Sequence, residues 1–124
     1  MVSIELTLDE LVVHVHGWDK LNTMRSSLTV PLGHVTGVRM HPPEAQFDDA
    51  IVDSWRGVGT YVPGKLAAGT CFVSDGRAFY AVRDPARTIA IDLRSEGLQH
   101  IVVELSDEEP EHAVERIRRV LEQA

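Results

Sequence analysis

One stretch, from Gly69 to Leu105, constrains the fold of this chain more than any other, because it consists of short apolar runs separated by turn residues. Its first two runs are Gly69–Ser74 and Arg77–Arg83. The pair Asp75-Gly76 lies between them and suits the backbone twist of a two-residue β-hairpin. The sequence therefore predicts an antiparallel hairpin at this place.

The second half of the stretch continues with two more runs. Asp84-Pro85 first interrupts the chain, because proline has no N–H to donate to a strand ladder. The apolar residues then occupy every second position: Ile89, Ile91 and Leu93, followed by Ile101, Val103 and Leu105. Such alternation is typical of strands with one face in a core and the other in water. We therefore predict that the four runs form an antiparallel meander.

Four further strands are predicted before this meander, and apolar and polar residues alternate in the first two of them. They are Ser3–Leu8, Leu11–Val15, Ser27–Leu32 and His34–Met40. The two groups of strands are separated by residues 42–68, the least regular part of the chain. There, Phe47, Ile51 and Trp55 have the spacing of a short amphipathic helix. Residues 56–68 contain repeated glycines and are predicted to be a loop.

The C-terminal segment predicts an amphipathic helix. Ser106 or Asp107 can cap its start, and acidic residues in the first turn suit the positive end of the helix dipole. Its apolar stripe consists of Ala113, Val114, Ile117, Val120 and Leu121. A single helix that follows seven or eight strands is expected to cover the open side of a curved sheet.

Composition limits the classes of function. The chain has 124 residues, of which 44% are hydrophobic, and this suffices for one domain over residues 1–124 with a single core. The formal net charge of −7 argues against binding of nucleic acid, which requires an excess of Lys and Arg. The charge is uneven, because residues 54–94 carry six basic and three acidic groups. An anion site is therefore expected only in this middle part.

The cysteine content and the N-terminus predict a cytoplasmic protein. Cys71 is the only cysteine, which excludes an internal disulfide and favours a reducing compartment. Glu5, Asp9 and Glu10 lie where a signal peptide needs positive charge and then an apolar run. No stretch approaches the roughly 18 apolar residues that span a membrane.

The runs and turns also carry a resemblance to a known family. Its pieces are Leu28 to Val35, Pro63-Gly64, Gly69-Thr70, Asp75 to Tyr80 and Thr88 to Leu93. In these pieces, and in the order of strands followed by one helix, the sequence resembles small bacterial proteins with pleckstrin-homology (PH)-like domains. The resemblance implies a mainly β (α+β) fold: a partly open antiparallel barrel of seven or eight strands with one C-terminal helix.

The resemblance also implies two kinds of ligand. Many eukaryotic members bind phosphoinositide headgroups through basic residues around the loop between their first two strands. The comparable loop here, Gly17–Ser26, contains Lys20 and Arg25. Other members bind peptides or pair with protein partners, and this use requires no diagnostic residue.

Three arginines in the middle of the chain are further candidates for binding an anion. Arg77, Arg83 and Arg87 lie on or beside neighbouring predicted strands, and Arg77 and Arg83 share strand parity. Guanidinium groups can frame a phosphate, a lipid headgroup or the carboxylate of a partner. The alternative is that these arginines form ordinary surface salt bridges with nearby aspartates.

Two other groups of residues are candidate sites. Trp55 and Tyr61 border the glycine-rich loop, where an aromatic side chain can anchor a partner, although packing within the protein is the alternative. His14 and His16 form an H-x-H pair that can share zinc with a third histidine. The alternative, a polar outer face without metal, is the interpretation adopted. Cys71 lies among apolar residues of a predicted strand and no serine lies in a G-x-S-x-G motif, so no enzyme is predicted. No cofactor is predicted either.

Together these features predict a non-catalytic binding or scaffold domain that recognises a protein or peptide, or pairs with itself as a homodimer. A half-open barrel has an exposed sheet edge and a groove beside its terminal helix, where a strand or helix can dock. Binding of a small ligand at the barrel mouth, closed by residues 42–68, is one alternative. The other is weak binding of an anionic headgroup at a membrane surface through Lys20, Arg25, Arg77, Arg83 and Arg87.

Overall fold

The computed structural model describes residues 2–16, 27–40, 57–62, 66–73, 76–94, 98–106 and 108–123, and all structural statements refer to these ranges. Within them the chain is mainly β, as predicted, with nine strands and one α-helix. The strands β1 to β9 are Val2–Leu6, Glu10–Val15, Ser27–Pro31, Val35–Met40, Gly57–Val62, Leu66–Val73, Gly76–Val82, Thr88–Leu93 and Leu98–Glu104. The helix α1 is Pro110–Gln123, and short 3₁₀ helices are formed by Leu32–His34 and Pro85–Arg87.

The strands form two sheets around a common core. The first sheet is antiparallel with the order β1-β2-β3, and the second has six strands in the order β4-β8-β9-β7-β6-β5. Alternate residues of both sheets point into the core, as the apolar spacing predicted. Fully buried members of this core include Leu11, Val13, Phe79, Ile89, Ile91 and Ile101.

The predicted antiparallel meander is wrong in its order. Strand β9 lies between β7 and β8, and it runs parallel to β7. The physical reason is that β9 is apolar on both faces, since Val102 and Val103 are both fully buried. A strand of this kind is most stable at the centre of a sheet, because both of its apolar faces are then removed from water. The antiparallel pairs β6–β7 and β8–β9 agree with the prediction, although Gly76 lies in β7 opposite Val73 and not in the predicted turn.

The second face of the large sheet is also buried, so the prediction that it lies in water is wrong at its centre. Ala78, Tyr80, Ala90 and Val102 point away from the core cluster, yet each is at most 4% exposed. Glu104 lies on the same face and is 3% exposed. Side chains at the centre of this sheet are thus buried on both of its faces.

The predicted loop at residues 56–68 is also wrong. Strand β5 occupies Gly57–Val62, and β6 begins at Leu66. The two strands pair in an antiparallel register, with Gly59 opposite Gly69. Glycine weakens a strand, but a complete ladder partner satisfies its backbone groups. The described strands therefore number nine rather than seven or eight. The helix predicted around Phe47, Ile51 and Trp55 lies outside the described residues.

The predicted role of the C-terminal helix is confirmed. Ala113, Val114 and Ile117 are buried in the core, and Val120 and Leu121 pack against it. The helix runs along β1 and β4, which are edge strands of the two sheets. It therefore closes the gap between two sheet edges.

Two arginines fasten the helix to these edges. Arg116 Nη2 donates to the carbonyl of Ile4 in β1 at 3.0 Å, and Arg118 Nη2 donates to the carbonyl of Val38 in β4 at 3.3 Å. No ring of strand pairing closes the described strands into a barrel. The two remaining edges belong to β3 and β5.

Candidate functional site

Strand β3 forms one open edge of the small sheet. It pairs with β2 and with no other described strand. Its exposed residues are Ser27, Thr29 and Pro31, whereas Leu28 is half-buried and Val30 is buried. The strand thus combines an inner apolar face with an outer polar face. An open edge of this kind presents backbone groups that another strand can bind.

The backbone groups on this open edge belong to Ser27 and Thr29. The N–H of Leu32 donates to the carbonyl of Asp9 at 2.9 Å, which continues the β2–β3 ladder beyond β3. In an antiparallel ladder, residues that bond to the neighbouring strand alternate with residues that face away from it. Counting back from Leu32, the even-numbered residues of β3 bond to β2. Ser27 and Thr29 therefore direct their N–H and carbonyl groups toward the open edge.

A small pocket lies beside the start of β3, between the two sheets. We call it the edge pocket, and its volume is about 170 Å³. Among the described residues, those that line it come from four strands and are Leu28, Thr70, Arg77, Phe79 and Leu98. Three of these five side chains are apolar, and the other two supply a hydroxyl and a guanidinium. The edge pocket can therefore hold a group with an apolar body and an anionic end.

The edge pocket depends on the register of β6, β7 and β9. Thr70 is opposite Phe79 in the antiparallel β6–β7 pair, and Arg77 is opposite Leu98 in the parallel β7–β9 pair. Gly76 begins β7 with a φ of 145°, a conformation that residues with a Cβ rarely adopt. This glycine therefore helps to set the position at which Arg77 enters the strand.

The predicted arginine site is not brought together at one place. Arg77 lies at the start of β7, and Arg83 follows its end, so about 20 Å of strand separate their backbones. Arg87 lies near Arg83, where its Nη1 is 3.8 Å from Glu109 Oε1 and its Nε donates to the carbonyl of Leu105. Arg77 alone lines the edge pocket. Whether these arginines bind an anion stays a prediction.

The structure describes no side-chain positions for the other predicted site residues. Lys20, Arg25 and Trp55 lie outside the described residues. Tyr61 lies in β5, of which the structure describes the backbone. The predictions for these four residues therefore remain as the sequence made them.

A charged cluster lies on the second face of the large sheet. Asp92 in β8 accepts hydrogen bonds from Arg39 Nε and Nη2 at 2.9 and 2.8 Å, and its Oδ1 lies 2.9 Å from His100 Nδ1. Burial works to raise the pKa of Asp92, but the hydrogen bonds from Arg39 and His100 outweigh it and hold the pKa below its ordinary value. This cluster joins three neighbouring strands, β4, β8 and β9.

A second charged cluster lies at the start of α1. Glu108 accepts two hydrogen bonds of 2.7 Å from Arg116, and His112 Nδ1 lies 2.7 Å from Glu108 Oε2. The hydrogen bonds from Arg116 lower the pKa of Glu108, and partial burial opposes them without cancelling them. Ser3 and Ile4 complete an open groove here of about 490 Å³. A groove of about 420 Å³ lies beside Met40, further along the helix, and has mainly charged walls.

The H-x-H pair lies on the outer face of the small sheet. His14 Nε2 is 2.9 Å from Glu5 Oε1, and His16 Nε2 is 2.8 Å from Ser3 Oγ. Within the described ranges, no group of three or more His, Cys, Asp or Glu side chains is arranged to hold a metal ion. These histidines make cross-strand polar contacts in the described structure.

Comparison with family models, with curated proteins and with solved structures finds no match for this chain. The helix that the structure describes is too short and too polar to cross a membrane.

Sequence reasoning missed most of the edge pocket. It selected Arg77, but it assigned Leu28 and Phe79 to predicted strands and made no assignment for Leu98. The hairpin signal predicted that β6 and β7 pair, but a turn at Asp75-Gly76 would place Thr70 opposite Ala81, whereas the structure places it opposite Phe79. No local signal placed Leu98 beside Arg77, because that contact depends on the parallel β7–β9 pair.

Proposed function

We propose that this chain is a non-catalytic binding domain that recognises an extended peptide segment of a protein partner. The peptide pairs with the open edge of β3 and so adds a fourth strand to the small sheet. In this mode the backbone of the edge strand supplies affinity, and pockets for alternate side chains supply specificity.

The observation that carries this proposal is the position of the edge pocket beside the open edge of β3. Ser27 and Thr29 offer two N–H and two carbonyl groups to a fourth strand. An added residue opposite Leu28 directs its side chain to the same face as Leu28. The edge pocket lies on that face, where Leu28 is one of its walls. The backbone edge and the side-chain pocket are thus arranged for one ligand.

The other edges are less suited to this role. Arg116 and Arg118 already donate to outward carbonyls of β1 and β4, and α1 lies along both strands. A peptide that bound there would have to displace these arginines. The β3 edge therefore offers the lower cost of binding among the edges whose side chains are described.

The proposal keeps the resemblance to PH-like domains only at the level of general architecture. The C-terminal helix that covers one side of a bent β structure supports the resemblance, and the parallel β7–β9 pair has no counterpart in an antiparallel barrel.

A place in the cytoplasm is also proposed, because Cys71 has no second cysteine with which to pair. A second copy of the chain is an alternative occupant of the β3 edge, since the edges of two copies can pair about a two-fold axis.

The experiment is a titration of ¹⁵N-labelled protein with a synthetic hexapeptide, Thr-Val-Thr-Val-Thr-Leu, followed by NMR. Its alternating residues direct apolar side chains to one face of the added strand. We expect the largest shifts at the amides of Ser27 and Thr29, because these groups form the new hydrogen bonds. Shifts that are largest along α1 instead would overturn the proposal.

Two variants of one residue provide the control. Thr29→Pro removes an outward N–H and should weaken binding at least about fivefold, whereas Thr29→Val keeps that N–H and should bind like the parent. A peptide N-methylated at its central residues should also lose binding, and it tests the same hydrogen bonds without changing the protein. Equal binding by both Thr29 variants and by the N-methylated peptide refutes strand addition at β3.

Sedimentation equilibrium of the parent protein then tests the second copy as occupant. A dimer that Thr29→Pro converts to a monomer assigns the β3 edge to self-association. A monomer at all concentrations, together with the expected peptide shifts, supports a separate partner.

A further inference from the structure

We propose that the edge pocket recognises the C-terminal residue of the bound peptide, an inference that rests on the function proposed above. The apolar side chain of this residue occupies the edge pocket, and its α-carboxylate pairs with the guanidinium of Arg77. Specificity for a free carboxyl terminus is therefore built into the start of β3. Size, charge and strand direction each support this assignment.

The size of the edge pocket fits one side chain. Its volume of about 170 Å³ is close to that of an engineered apolar cavity, roughly 150 Å³, that binds benzene. Leu28 and Leu98, which are partly exposed, supply apolar walls, and Phe79 borders the pocket as a fully buried side chain. A side chain the size of leucine or phenylalanine therefore fits, and a second residue does not.

The charge of the edge pocket fits a carboxylate. Arg77 is exposed, and no described carboxylate lies within salt-bridge distance of its guanidinium. Arg39 and Arg116 differ in this respect, because each forms two hydrogen bonds with an acidic side chain. A planar guanidinium matches the two oxygens of a carboxylate, and the hydroxyl of Thr70 lines the same pocket and can donate a further hydrogen bond.

The direction of β3 decides which end of the peptide meets Arg77. The edge pocket lies at the Leu28 end, near the first residue of β3. An antiparallel peptide reaches this place with its C-terminus, and a parallel peptide reaches it with its N-terminus. An ammonium group beside Arg77 would be repelled, and a carboxylate is attracted. Arg77 therefore favours an antiparallel peptide that ends at the edge pocket.

The test compares the hexapeptide Thr-Val-Thr-Val-Thr-Leu as the free acid with the same peptide as its C-terminal amide. We expect the acid to bind the parent protein about tenfold more tightly, in line with a partly exposed charge-assisted contact. Arg77→Gln should reduce the ratio of the two affinities to about one, because the acid loses more affinity than the amide. Leu→Gly at the last position of the peptide should weaken binding by the acid, because the edge pocket then stays unfilled.

Arg83→Gln is the matched control, since it removes the same charge from the other end of the same strand. It should preserve the tenfold preference for the acid. If it abolishes the preference as fully as Arg77→Gln does, the effect belongs to overall charge, and the inference is wrong. Binding of 4-methylpentanoate alone as tightly as the peptide would also overturn it, because the pocket would then serve a free small acid.

The inference and the proposed function fail in different ways. If Thr29→Pro weakens binding of both peptides but acid and amide bind equally well, strand addition stands and recognition of the C-terminus is refuted. If neither Thr29→Pro nor N-methylation affects binding, strand addition itself is refuted, whatever Arg77→Gln does.

Discussion

Replacement of Ile117 tests whether α1 closes the gap between the two sheets. Ile117 is fully buried at the centre of the apolar stripe of the helix and belongs to the common core. Ile117→Ala removes buried methyl and methylene groups and leaves a cavity, and such changes cost about 2–5 kcal/mol. For 124 residues, an unfolding entropy of about 2.1 cal/mol/K per residue converts each kcal/mol to about 4 °C in Tm. We therefore expect a decrease in Tm of about 8–20 °C.

The assay is thermal and urea unfolding followed by circular dichroism, with Arg119→Ala as the control. Arg119 is exposed and pairs with Glu115 on the same helix at 2.6 Å, so its loss should cost only about 0.3–0.5 kcal/mol. Ile117→Asp places an unpaired charge in the core and should abolish cooperative unfolding at 25 °C. A change below about 1 kcal/mol in Ile117→Ala would refute the docked helix. So would an Ile117→Asp protein that melts like the parent.

Three further predictions concern contacts that hold the turns and the helix in place. Glu104→Ala should lower the free energy of unfolding by about 3 kcal/mol, because one buried oxygen accepts the N–H groups of Arg83 and Asp84 at 2.7 and 2.6 Å; urea unfolding that matches the parent contradicts this. Gly76→Ala should cost more than about 1 kcal/mol, since φ is 145° and the new Cβ would lie 2.7 Å from Gln99 Cγ, whereas the Cβ of Gly33→Ala meets nothing within 4 Å and should change stability little; equal melting temperatures would show the reasoning to be wrong. Because the pKa of Glu108 is lowered in the folded state, its carboxylate stabilises the fold at pH values above its ordinary pKa of 4.5. This stabilisation is lost as the pH falls through the folded-state pKa. The destabilisation by Arg116→Gln should therefore be larger at pH 7 than at pH 3, and equal effects at both pH values would contradict it.

Local sequence patterns predicted the features that depend on the spacing of residues within one element or one hairpin. The stripe of Ala113, Val114 and Ile117 predicted both the helix and its buried face, because helical spacing alone aligns these side chains. The hairpin of β6 and β7 was predicted from its turn residues. Gly76, which was predicted to lie in the turn, belongs to β7 and is opposite Val73. The alternation in β8 likewise predicted which residues enter the core.

The candidate site could be predicted only in fragments. Arg77 was selected from its charge and strand position, and an exposed sheet edge was expected from the fold class. The combination of Arg77 with Ser27 and Thr29 in one candidate site was not predicted, because these residues belong to different sheets. Arg83 was grouped with Arg77 on parity, which gives the face of a strand and says nothing about distance along it.

The sequence by itself determined eight of the nine described strands, their inward faces, the hairpin and the terminal helix, because these depend on residue spacing within a few positions. Only the tertiary structure decided that β9 lies between β7 and β8 and that β5 joins the sheet. Strand order depends on burying both faces of an apolar strand, and this free energy comes from contacts between residues far apart in the chain. The edge pocket follows from that order, because the parallel β7–β9 pair places Leu98 beside Arg77 and the stacking of the two sheets places Leu28 opposite them.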